Sequence, residues 1–140
     1  MTPTTTPGHG GNAAALDLLS VASDALRDEL LAAVPPQARH TALMVVNALG
    51  IVVRELADGE QVGQAEAASL RELVGHVPDG ATAPLEAVLH GLRQRTVASI
   101  RLGHFDAPPQ ALCMADTLIR IASARCGIDA PKAVAAQVAP

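Results

Sequence analysis

The chain has 140 residues, of which 49% are hydrophobic and 17% charged, and its net charge at pH 7 is −4. That length suits one ordinary hydrophobic core, and the acidic balance speaks against nucleic acid, whose binders neutralise phosphates with Lys and Arg. Phe105 is the sole aromatic residue, which removes any stacking platform for unpaired bases and leaves Ala, Leu, Val and Ile to build the core of an all-α fold.

The opening stretch MTPTTTPGHGGN holds too little apolar surface to offset the entropy of ordering, so residues 1–12 are expected to form a flexible tail. It shows neither the charged segment nor the apolar run of a secretory signal, which makes a cytoplasmic protein the expectation. Asn12 is placed to cap the first helix. Leu16, Leu19, Ser23, Leu26 and Leu30 then recur at three- and four-residue steps, along one stripe of a helix that stops before Pro35-Pro36. A second helix, from about Gln37 to Ala57, is apolar nearly all round. Val45, Val46, Leu49, Val52, Val53 and Leu56 cover one half of it, while Leu43, Met44 and Ile51 extend the other. Such a helix belongs at the centre of a small bundle, with Asp58-Gly59 ending it and Gly59 in the left-handed position beyond its last turn. Its run ALMVVNALGIVV is short of the roughly 20 residues that span a bilayer and is interrupted by Asn47, so no membrane span is expected.

A third helix reads from about Glu60 to His76, with Val62, Ala65, Ser69, Leu70 and Leu73 inward. VPDGATAP is a turn, with Thr82 as cap, Pro84 near the first helical turn and Glu86 close to the freed amides. Helix four, to about Leu102, buries Leu85, Val88, Leu89, Leu92, Thr96 and Ile100 and ends at Gly103. After GHFDAPP, helix five runs from about Pro109 to Arg125, buries Leu112, Ala115, Leu118, Ile119 and Ala122, and stops at Gly127. Residues 128–140 form a tail in which AVAAQVA has room for a short helix. The predicted architecture is a single bundle of about five helices over residues 13–127. Cys113 and Cys126 share helix five at a separation of about 20 Å, too far for one disulfide, and read as small core residues.

His40, Asn47 and Arg54 stand seven apart. Seven steps of 100° fall about 20° short of two turns, so the three share one stripe with Leu43 and Gly50, and Glu55 sits beside it. The outer two lie about 21 Å apart along the axis, which rules out a common catalytic triad. Two readings stay open. In one, the stripe is packing: Asn47 is a buried amide, Gly50 permits a close helix, and Arg54 pairs with Asp58 and complements the helix's carboxyl end. In the other, it contacts a partner protein or a small ligand. Helix four carries His90, Arg93, Arg95 and Arg101, followed by His104, and raises a phosphate or coenzyme A site with Arg93 and Arg101 as candidates. Its three arginines point about 200° and then 240° apart, so a solvated basic helix is expected instead of one patch. His76, His90 and His104 recur every fourteen residues without a carboxylate or Cys at ligand spacing, and no metal site is expected. Neither GxxxxGK[ST] nor GxSxG nor a dinucleotide fingerprint occurs, so no cofactor and no catalytic residue is assigned.

Through Asn47, Leu49, Ile51, Val52, Arg54, Glu55 and Leu56, VVNALGIVVREL resembles a family of small helical bacterial domains of unknown function. The helical layout extends the resemblance from about Leu16 to Arg125. The family pattern places a His and an Arg six and four positions before the Asn, where this chain has Thr41 and Leu43. Genes of that family lie near acyl-CoA dehydrogenases and kinases of the aminoglycoside-phosphotransferase type, so the resemblance implies a link to acyl-CoA metabolism but no established activity. Two functions are the resulting expectations. The first is a non-catalytic accessory protein that docks on itself or on a partner enzyme through an apolar helix face, for which Leu18, Leu31, Met114 and Ile121 lie outside the main stripes. The second is a module that holds an acyl or acyl-CoA ligand between helices, with Arg54, Asn47 or Arg93 orienting its polar end.

Overall fold

The computed structural model describes residues 10–75 and 83–138. Helices account for every regular element among them, and no strand occurs among the described residues. In chain order they are α1 (Gly10–Ala25), a π-helical turn (Leu26–Leu30), α2 (Leu31–Ala33), α3 (Pro36–Val74), α4 (Leu85–Arg101), α5 (Pro108–Asp129) and α6 (Pro131–Val138). Thr82, His76 and the tail over residues 1–9 lie outside the described residues. The chain divides into two compact units, Met1–Ala57 and Asp58–Pro140.

In the first unit, α1 begins at Gly10, ahead of Asn12, which sits inside the helix and does not cap it. A helical glycine costs about 1 kcal/mol relative to alanine, too little to hold back a helix that Ala13, Ala14 and Ala15 propagate. Over Leu26–Leu30 the helix widens to a π-turn, closed by the Leu31 N–H donating to the Leu26 carbonyl. The wider turn rotates the next residues out of the 3.6-residue register. Leu16, Leu19 and Leu26 accordingly stay half-buried and Ser23 is buried, but Leu30, expected on the same stripe, is exposed. Val34 is extended (φ −70°, ψ 130°), as the residue before a proline must be, and Pro36 opens α3 where its missing N–H is harmless.

α3 does not end at Asp58-Gly59. It runs unbroken to Val74, with Gly59 helical and buried, so the expected second and third helices are one. Glycine alone stops a helix only where the next residues gain from a left-handed turn, and Glu60 and Gln61 are good helix formers. The left-handed glycine comes at Gly75 (φ 79°), whose N–H donates to the Arg71 carbonyl at 2.9 Å. The boundary between the two compact units nevertheless falls between Ala57 and Asp58, where the break was expected. Along the first unit's part of α3, Ala42, Val46, Leu49 and Val53 form the more buried stripe at four- and three-residue steps.

The second unit contains the tighter core. Ala67 and Leu70 of α3 meet Val88, Leu89 and Leu92 of α4, with Val74, Leu85 and Ile121 packed against them. Leu89 and Leu92 are 0% exposed, each buried side chain contributing about 2 kcal/mol of transfer free energy. Thr96 is buried as expected, because its hydroxyl donates to the Leu92 carbonyl at 2.9 Å, while Ile100 is exposed. A Cβ at Gly63 would lie 3.0 Å from Leu85 Cδ2 and 3.5 Å from Leu89 Cδ1, so this glycine sets how closely α3 and α4 approach. Gly63→Val is expected to lower unfolding stability by about 1–3 kcal/mol through overpacking, read as a lower denaturation midpoint. An unchanged midpoint would contradict this packing.

α5 starts on Pro108-Pro109 and continues past Gly127 to Asp129; the stop is Ala130 (φ −144°, ψ 62°), forced out of the helical region by Pro131. The inward face differs from the expected one. Leu112, Leu118 and Ile119 are exposed, as are Ala115 and Ala122, whereas Thr117 and Ile128 are buried and Met114 and Ile121 half-buried. Apolar residues occupy both sides of this helix, so hydrophobicity does not choose between them; Arg125, at 3.7 Å from a buried carboxylate of α3, belongs to the face that turns inward. Cys113 and Cys126 are both exposed free thiols, not core residues. α6 supplies the short helix for which AVAAQVA had room.

Candidate functional site

The α3 stripe is the first candidate. His40, Asn47 and Glu55 are exposed, and Arg54 is half-buried. The buried-amide reading of Asn47 therefore fails: the more buried face of α3 lies along Ala42, Val46, Leu49 and Val53, on the far side of the helix. Within the stripe, the structure brings Arg54 against Gly50. A Cβ at Gly50 would sit 3.2 Å from Arg54 Nη1, so the missing side chain leaves room for the guanidinium to fold back along the helix. His40, two turns below Asn47, joins nothing with it. Next to this polar stripe, Met44 is 60% exposed, and Leu43, Val45, Val52 and Leu56 are exposed as well.

The α4 candidates fare differently. Arg93 and Arg101 line one open depression together with His90, Gln94, Val97, Ala98 and Leu102. Eight helical steps leave these two arginines only about 80° apart, so they share a face, and Arg95 alone among the three arginines of α4 points elsewhere. The expectation that these arginines form no common patch is corrected to that extent.

Arg93 also does something its spacing did not show. Its Nε and Nη2 donate to the Oε1 and Oε2 of Glu66 on α3 at 2.6 and 2.8 Å. Glu66 is 5% exposed, and Arg125 of α5 approaches its Oε2 at 3.7 Å, so one buried carboxylate ties three helices. The fork geometry suits a bidentate guanidinium–carboxylate pair. Hydrogen bonding to Glu66 raises the Arg93 pKa, partial burial opposes this, and the charges of Glu66 and Glu86 add to it. A base whose pKa rises on folding loses that stabilisation only as pH climbs through the raised value, so Arg93 contributes none of the acid sensitivity and is fully charged throughout the neutral range. Sequence reasoning missed Glu66; the available signal was a lone carboxylate in QAEAASL, between Val62 and Ser69 on the inward stripe.

A cleft of about 160 Å³ beside this pair is lined by Val62, Ala65, Glu66, Ser69, Arg120, Ile121 and Ala124. Both Glu66 oxygens already accept from Arg93, so the carboxylate is a structural clamp and not a base poised over the cleft. Among the described residues no group of three or more His, Cys, Asp or Glu side chains could hold a metal ion. His90 and His104 are exposed and far apart along α4 and its following turn, and His76 lies outside the described residues. Among the described residues α3 is the one helix long and apolar enough, by length and composition, to cross a membrane.

No curated protein and no solved structure matches the chain. The profile of a family described as a domain of unknown function, DUF6285, matches residues 32–133, from the end of α2 through α5 and into α6, and the chain belongs to that family.

Proposed function

We propose that this family member is a non-catalytic, cytoplasmic accessory protein that docks on a partner enzyme through the apolar flank in the amino half of α3. The observation that carries the reading is the exposure of Met44, Val45, Val52 and Leu56 on a single helix. Thr41, Val45, Val52 and Leu56 fall within about 60° of one another at 100° per residue, a continuous seam of the kind that helix-binding partners cover. The family resemblance suggests the partner's class: an enzyme of acyl-CoA metabolism or an aminoglycoside-phosphotransferase-like kinase.

Membrane insertion accounts less well for the same surface. From Thr41 to Val53 the uncharged run rises about 20 Å, against a hydrocarbon core of about 30 Å, and extending it places Arg54 and Glu55 in lipid at roughly 3 kcal/mol for such a charge near the helix centre. An acyl or acyl-CoA ligand is the second reading. The α4 depression and the cleft beside Glu66 are both open, whereas ligand sites of that class enclose most of the molecule.

Affinity capture of the tagged full chain from extracts of its source cell tests this. The expected result is a kinase or acyl-CoA dehydrogenase in near-equal amount with the wild type and its loss with Val52→Glu, the variant melting within about 2 °C of the wild type as exposed substitutions do. Recovery of the chain alone would overturn the proposal. Recovery with a bound acyl compound, and a thermal shift on adding acyl-CoA, would put the ligand reading in its place.

A further inference from the structure

α1 and α4 present faces of opposite charge to solvent. From Gly10 to Ala33 the chain holds Asp17, Asp24, Asp28 and Glu29 against Arg27 alone, whereas α4 holds Arg93, Arg95 and Arg101 against Glu86 alone, on a chain whose overall balance is acidic. On α1, Asp17, Leu18, Val21 and Asp24 share one face, with Leu18 72% and Val21 68% exposed. Asp24 is bonded to Arg27 at 3.2 Å, but that pair is exposed on both sides and such pairs exchange partners at little cost. On α4, Arg93, Val97 and Arg101 face the open depression, with Leu102 at its end and Val97 and Leu102 both exposed. Among the described residues no carboxylate is paired with Arg101.

The two faces match in spacing as well as in sign. Asp17 and Asp24 are separated by about 10.5 Å of helix rise and Arg93 and Arg101 by about 12 Å, each pair bracketing exposed aliphatic side chains; Arg93 is already held by Glu66, so Arg101 is the cation that the acidic face meets. We propose that the α1 face of one copy docks on the α4 depression of a second copy, Leu18 and Val21 entering beside Val97 and Leu102 while Asp17 meets Arg101. The contact is heterologous: each copy offers an acidic face and a basic one, so copies join head to tail or close into a ring. It uses none of the residues of the α3 flank, and it stands or falls independently of a partner enzyme.

Sedimentation of the full chain over roughly a hundredfold range of concentration tests it. The expected behaviour is self-association that weakens as salt rises from about 0.05 to 0.5 M. Asp17→Arg and Arg101→Glu, both on exposed positions and checked for unchanged helical content, are each expected to weaken association roughly tenfold by placing like charges together. Mixing the two variants in equal amounts restores it, because each then meets a complementary face. A monomer at every concentration would overturn the proposal, as would association indifferent to both substitutions. Association lost only with Val52→Glu would assign self-assembly to the α3 flank and overturn it equally. Binding of an acidic peptide or of acyl-CoA at Arg101 by a chain that stays monomeric would give the depression another occupant and overturn it too.

Discussion

Leu89→Ala is expected to lower the free energy of unfolding by about 3–4 kcal/mol, a large share of the roughly 5–15 kcal/mol that holds a domain of this size together. Leu89 is 0% exposed, lies at the centre of the cluster formed by Ala67, Leu70, Val88 and Leu92, and stands 3.5 Å from where a Cβ on Gly63 would project. Truncation removes both the transfer free energy of the side chain and the contacts of its neighbours, which close in only partly because two helices hold them. Leu112→Ala is the matched control. Leu112 is 68% exposed, so the same chemical change there is expected to cost less than about 0.5 kcal/mol. Urea denaturation of both variants, followed by helical circular dichroism, separates the two positions. Equal losses would mean that the inward faces of α4 and α5 are wrongly assigned.

The second large effect concerns the buried carboxylate. Arg93→Met removes both short hydrogen bonds to Glu66 and leaves a 5%-exposed charge with, among the described residues, Arg125 at 3.7 Å as its remaining cation. Breaking a fully buried pair from one side costs about 3–5 kcal/mol; Arg93 is itself 46% exposed, so water reaches the gap and about 2–3 kcal/mol is expected. Removing the carboxylate too, in Glu66→Leu with Arg93→Met, is expected to return most of that loss, because the unpaired charge is then gone. A double-mutant cycle should give a coupling above about 1 kcal/mol. Additive effects of the two substitutions would show that the pair does not form in solution, and Arg95→Met, on another face of α4, should be nearly silent.

What the sequence made legible was what local chemistry decides. Composition pointed to helices, proline pairs at Pro35-Pro36 and Pro108-Pro109 marked two helix starts, and the Leu85 to Thr96 spacing identified most of the buried face of α4. Three things were not legible, each for a stated physical reason. Gly59 carries a turn signal, but its cost in a helix is small beside the continued hydrogen-bond ladder, so α3 passes through it. The π-turn at Leu26–Leu30 shifts register by a fraction of a residue that no periodicity count resolves. α5 is apolar on two sides, and the choice between them involves a partner on another helix, the Glu66 clamp, which periodicity within α5 cannot contain. The same limit applied to the candidate site. The seven-residue spacing puts His40, Asn47 and Arg54 on one stripe, but only the fold shows that His40 and Asn47 are exposed while Arg54 is half-buried, which removes the buried-amide reading of Asn47.

Met44 offers the most direct test of the proposed docking. It is 60% exposed on the α3 flank, while Met114 of α5 is half-buried in the second unit and serves as an internal reference. Oxidation of the two methionines by hydroxyl radicals, measured by mass spectrometry on the free chain and on the chain bound to its captured partner, reports coverage of one surface against the other. Met44 is expected to react several-fold more slowly in the complex while Met114 keeps its rate; a Met44 that oxidises equally fast in both would rule out docking through α3.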